Sequence, residues 1–161
     1  MYIQDRKGDT AEAVSLIIKK PLALAIATAQ KPIEFREFRT FYLKLFCDIE
    51  KVGKKENLKM RDIHYLHLHD YKNSFFLAVA IEAIDLMALL PENREYFAEH
   101  NCTEVDSFID EAERNGYTAK SPETMWYFCM PVKAIINTNL DLTSAENILP
   151  LKNFSDAKFT K

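Results

Sequence analysis

Apolar side chains recur at intervals of three and four from Pro32 to Gly53. Phe35, Phe38, Tyr42, Leu45, Ile49 and Val52 follow one another at spacings of 3, 4, 3, 4 and 3. On a helix this makes one continuous stripe. Pro32 suits a first turn and Gly53 a C-terminal cap, so the pattern predicts a long helix, its stripe widened by Phe41 and Phe46. A second apolar block, SFFLAVAIEAIDLMALL from Ser74 to Leu90, predicts a buried helix. Its longest uncharged run, Ser74 to Ile81, is far short of the roughly 20 residues that span a bilayer. Glu82 and Asp85 interrupt the remainder, and each would be costly at a bilayer centre.

Polar punctuation predicts the other elements. In DTAEAVSLIIKKP, Asp9 and Glu12 have capping-box spacing, and Ala11, Val14, Ile17 and Ile18 follow at helical positions before Pro21. PLALAIATAQ reads as a short helix, PENREYFAEH as another opening on Pro91. TEVDSFIDEAERNG runs from an N-cap at Thr103 through Val105, Phe108, Ile109 and Ala112 to an Asn115–Gly116 stop. SPETMWYFCMPVKAIIN has Ser121 as N-cap and Pro122 in its first turn, with Pro131 expected to kink or divide it. Together these predict an all-α chain. It is a single globular helical domain of about five to seven helices over residues 1–161, with flexible termini at about 1–8 and 151–161.

Composition narrows the function classes. The chain of 161 residues has only three glycines, Gly8, Gly53 and Gly116. A phosphate-cradling loop needs several close together, which excludes P-loop nucleotidases and Rossmann dehydrogenases. It also counts against tight hairpins, whose turns favour glycine. A formal charge of −3 gives no general pull towards nucleic acid. Cys47, Cys102 and Cys129, odd in number and widely spaced, point to reduced thiols and a cytoplasmic location. MYIQDRKGDT has no apolar run of the kind a secretory signal carries.

The sharpest candidate chemistry is in IHYLHLHDY, Ile63 to Tyr71, which holds His64, His67 and His69, three of the four histidines. On a helix they are boundary residues. On a strand, His67 and His69 share one face. With His100 and Cys102 of HNC they would have acceptable ligand types for zinc. RDIHYLH, Arg61 to His67, resembles the Arg-x4-6-His motif of HEPN-type ribonucleases, and the polar Asp62 after the arginine resembles them too. That resemblance implies a small, all-helical, usually dimeric protein. In it Arg61 would position a phosphate and His67 would move protons during attack by an RNA 2′-hydroxyl. REYFAEH, Arg94 to His100, has the same loose spacing.

Other clusters read more plainly. Glu82 and Asp85 are a candidate carboxylate pair, or acids neutralised by nearby cations. Lys51, Lys54, Lys55, Lys59 and Arg61 form a basic connector of the kind that is usually solvated. Glu104, Asp106, Asp110, Glu111 and Glu113 form an acidic helix face, and MWYFCMP is dense in interface-type side chains.

With no glycine loop, no paired-ligand metal pattern and no catalytic constellation, the leading expectation is a non-enzymatic protein-binding domain: an adaptor, inhibitor, immunity-type or regulatory protein. Its partner-binding residues would be Trp126, Tyr127, Glu104, Asp110 and Glu111, with no cofactor. The alternatives are a His-dependent ribonuclease or RNA-binding protein using Arg61 and His67, then a metal protein using His67, His69, His100 and Cys102. The expected partner is another protein, with nucleic acid second, no membrane, and a homodimer compatible with the sequence.

Overall fold

The computed structural model describes residues 2–4, 10–151 and 158–160, the two outer segments by backbone alone. In chain order the elements are strands β1 (Tyr2–Gln4) and β2 (Thr10–Ile17), helix α1 (Lys20–Ala27), β3 (Ile33–Glu37), α2 (Thr40–Phe46), β4 (Cys47–Val52) and β5 (Lys55–Met60). There follow β6 (Tyr65–His69), β7 (Phe76–Ile81), β8 (Asp85–Ala88), a 3-10 turn (Pro91–Asn93), α3 (Arg94–Glu99), α4 (Asp106–Arg114), β9 (Trp126–Thr138) and β10 (Lys158–Thr160). This overturns the all-α expectation. The protein is mixed α/β, with an eight-stranded sheet curled into a half-barrel and a separate β4–β5 hairpin.

The sheet runs β10-β1-β2-β6-β7-β9-β3, with β8 also beside β9. Among the described strands only β2 and β6 pair in parallel. Strand β9 joins the two parts of the sheet. Its first half lies between β3 and β8, and its second half pairs with β7. Along the β7 pairing, Val79 faces Ile135 but Ala78 faces Asn137, and Ala80 faces Ala134 but Ile81 faces Val132. Ile136 and Lys133 are therefore bulged residues, which bend a strand and increase its twist. Pro131 sits where β9 changes partner. It faces Ile33 in a pair that exchanges no ladder bonds with β3, so its missing N–H costs that ladder nothing.

The curled sheet encloses Leu66, Leu68, Leu77, Val79, Phe128 and Met130, covered by Ile26 of α1 and Phe46 of α2. A second cluster, Ile33, Leu89, Phe97, Val105, Ile109 and Cys129, lies where α3 and α4 pack.

The corrections have local causes. The 3-4 stripe of Pro32 to Gly53 is divided among β3, α2 and β4. The block from Ser74 to Leu90 is mainly β7 and β8. Residues 77–81 are all buried, and a strand covered on both faces shows a continuous apolar run instead of alternation. IHYLHLHDY contains β6, with Leu66 and Leu68 buried and Tyr65, His67 and His69 alternating with them, half-buried. DTAEAVSLIIKKP holds β2, and SPETMWYFCMPVKAIIN leads into β9. Helices were found where expected in PLALAIATAQ, PENREYFAEH and TEVDSFIDEAERNG. The last begins after Val105 without a side-chain cap from Thr103, and ends at Asn115 with Gly116 at φ 66°.

Scarcity of glycine did not exclude hairpins. Gly53, at φ 65°, makes the β4–β5 turn, while Asn73 and Asn101 take left-handed conformations elsewhere, which asparagine tolerates through its short polar side chain. The termini expected to be flexible lie largely outside the described residues; within them β1 pairs with both β2 and β10. Among the described residues no helix is long and apolar enough to cross a membrane.

Candidate functional site

Strand β3 ends the sheet, and among the described residues no strand pairs with its outer edge. Val132 N–H donates to Pro32 O at 2.9 Å and Phe38 N–H to Trp126 O at 3.2 Å. These bonds fix the alternation. The even-numbered residues of β3 bond to β9, so the backbone groups of Phe35 and Glu37 point to the open edge. A cleft of about 410 Å³ runs along that edge. One wall is the end of β2 and the start of α1, with Ile17, Ile18, Lys19 and Leu22. The other is Glu34 to Glu37, with Tyr42 and Tyr127. The cleft thus occupies the gap left by the half-barrel.

A charged pair stands in that gap. Glu34 is 5% exposed and is the only buried charged residue of the described core. Arg36 Nε donates to Glu34 Oε1 at 3.1 Å. Its other nitrogens donate to Tyr42 Oη at 3.1 Å and to Ile17 O at 2.8 Å. The second carboxylate oxygen, Glu34 Oε2, is buried without a hydrogen-bond partner. Burial pushes the Glu34 carboxyl above the usual carboxylate range, outweighing Arg36 and Lys31. A buried acceptor left unsatisfied costs about 1–3 kcal/mol, more when charged. Such a cost marks either a tolerated defect or a place where a ligand atom belongs.

The cleft continues along the start of β9. A neighbouring hollow of about 250 Å³ shares Glu37 and Tyr127 with it and adds Phe38 and Trp126. A third, of about 280 Å³, shares Thr124 and Met125 with the second and reaches Phe108 and Glu111 on α4. Trp126 and Tyr127 are half-buried, while Phe38 and Phe108 are 46% and 45% exposed. Three of the five expected partner-binding residues, Trp126, Tyr127 and Glu111, therefore line these neighbouring hollows. The other two are engaged elsewhere: Asp110 with Arg94 at 2.9 Å and Glu104 with Lys31 at 3.2 Å.

The histidines do not form the expected centres. His67 and His69 share a sheet face with ring centroids 5.3 Å apart, as a strand requires. His67 stacks on Phe76, and His69 Nε2 meets Ser15 Oγ at 2.7 Å. Burial, then His69, lowers the His67 pKa. Cys102 is buried beside Ile33 and Phe97, and His100 belongs to a different cluster. No group of three His, Cys, Asp or Glu side chains able to hold a metal occurs among the described residues. Arg61 is anchored at the end of β5, paired with Glu12 and donating to Leu45 O at 2.8 Å. The two helical turns that the ribonuclease resemblance needs between Arg61 and His67 do not form.

Glu82 and Asp85 do not act as a pair either. Glu82 meets His100 Nε2 at 2.8 Å, and Asp85 accepts from Tyr96 Oη at 2.9 Å. His100 Nδ1 also meets Tyr96 O at 2.7 Å. Burial, the Asp85 charge and the hydrogen bond to Asp85 all hold the Tyr96 hydroxyl protonated. Cys129 is buried beside this cluster, and burial, then Asp85, pushes its thiol far up.

Sequence reasoning missed Glu34, Arg36 and Tyr42. A signal was present, since Ile33 to Arg36 alternates apolar and charged residues, the period of a half-buried strand. Comparison of the chain with protein-family models, with curated proteins and with solved structures gave no match.

Proposed function

We propose that this protein is a non-enzymatic protein-binding domain that receives an extended segment of its partner along the edge of β3. One observation carries this reading. The terminal strand of the curled sheet has its outward backbone groups at Phe35 and Glu37 facing a cleft, with no described strand paired to them. An added strand gains main-chain hydrogen bonds there, and flanking pockets select its alternate side chains. The aromatic groove at Phe38 and Trp126 extends the contact, since Trp and Tyr supply much of the binding energy at interfaces. Arg36, Glu37 and Arg39 place charges on the edge, which discourages unselective pairing.

The test is Glu37→Pro beside Glu37→Ala. Proline at 37 removes an outward N–H that β9 does not use, and Glu37 is exposed, with only the surface Arg39 ion pair to lose. A stoichiometric partner retained by the wild type and Glu37→Ala, but lost by a folded Glu37→Pro, is the expected result. Equal retention by all three would overturn the reading. So would a concentration-dependent dimer dissolved by Glu37→Pro, which would assign the edge to a second copy.

A further inference from the structure

Building on the strand-addition reading above, we propose that the received segment presents a side-chain carboxamide, from glutamine or asparagine, to the Glu34–Arg36 pair. Side chains of a strand alternate between the two faces of its sheet. A strand laid on β3 would therefore place every second side chain on the face of Glu34 and Arg36, and the others on the face of Phe35 and Tyr127. The first face offers two kinds of unmet group. Glu34 Oε2 is a buried acceptor without a partner. A guanidinium has five N–H donors, and Arg36 gives one each to Glu34, Tyr42 and Ile17, which leaves two.

The complementary group must donate and accept within one plane. A carboxamide does so, its NH2 to Glu34 Oε2 and its carbonyl to an Arg36 N–H. A lysine or arginine could serve Glu34 but would be brought against Arg36, with Lys19 also lining the cleft. A carboxylate could serve Arg36 but would face Glu34. An aliphatic side chain leaves both unmet. Polar sites of this kind discriminate mainly by leaving their own groups unpaired against the wrong partner.

Binding of capped pentapeptides acetyl-Thr-Val-Xaa-Val-Thr-amide to the whole chain tests this, with Gln, Asn, Leu, Arg or Glu at the central position. Gln or Asn should bind about tenfold more tightly than the others, and Glu34→Met should abolish that preference. Equal binding of all five peptides that is lost in Glu37→Pro would leave strand addition standing and overturn the carboxamide. Tightest binding by Arg or Glu would overturn it as well. No binding by any peptide would overturn both readings. The wild-type series decides the matter even if Glu34→Met does not fold.

Discussion

His100 is held at both ring nitrogens, by Glu82 Oε2 at 2.8 Å and by Tyr96 O at 2.7 Å. Both partners are acceptors, and only the imidazolium can donate to two acceptors at once. Burial opposes the charge, but Glu82, the Tyr96 carbonyl and the more distant Glu99 outweigh it, so the His100 pKa is raised. Asp85 accepts from the hydroxyl of the same Tyr96. The native state therefore holds the proton more tightly than the unfolded chain does. Its contribution to stability is complete below pH 6.5, the ordinary histidine value, and is lost as pH rises through the raised one. Urea melts across that range should show stability falling as pH rises. His100→Gln and Glu82→Gln should each flatten the slope. An unchanged slope in both variants would mean that His100 is not the titrating group.

At the scale of elements, β9 holds the two parts of the sheet together, and Phe128 is its largest fully buried side chain. The Phe128 ring centroid lies 5.1 Å from Phe46 and 5.8 Å from Phe38. Phe128→Ala should cost about 3–5 kcal/mol, measured by thermal and urea unfolding; a loss under about 1 kcal/mol would contradict this packing. Which elements were legible follows from how each is covered. Helix α4 is polar on one side and buries Ile109 and Ala112 on the other, so its period survives in the sequence. Strand β7 is buried on both faces and has no period to read. Strand β6 alternates cleanly, but its outward positions are Tyr65, His67 and His69, whose rings mask the polar half of the pattern. Between Phe35 and Val52 the helical spacing is real in the sequence, yet it crosses two element boundaries, at Phe38 and at Cys47. Of the candidate site, the aromatic side chains of β9 could be read locally. The Glu34–Arg36 pair left only the alternation of Ile33 to Arg36 to read, because its partners Tyr42 and Ile17 O arrive from two other elements.

At the scale of the whole molecule, the sheet curls far enough to bring the end of β2 within hydrogen-bonding reach of Arg36, but among the described residues it does not close. A barrel removes its edges by pairing the last strand with the first. Here a cleft stands in place of that pairing, with the ladder to β9 complete on one side of β3 and no described strand on the other. This asymmetry predicts a residue-by-residue pattern of amide hydrogen exchange. The amides of Glu34, Arg36 and Phe38 donate to a buried strand and should exchange only on larger openings. Those of Phe35 and Glu37 face the cleft and should exchange quickly from the native state. A bound segment paired with β3 must then protect Phe35 and Glu37 selectively, with little change at their neighbours. Exchange followed by NMR, first on the free chain and then with the glutamine pentapeptide, reads both stages. Slow exchange at Phe35 and Glu37 in the free chain would mean that the edge is already occupied. In that case the protein would have to meet its partner on another surface.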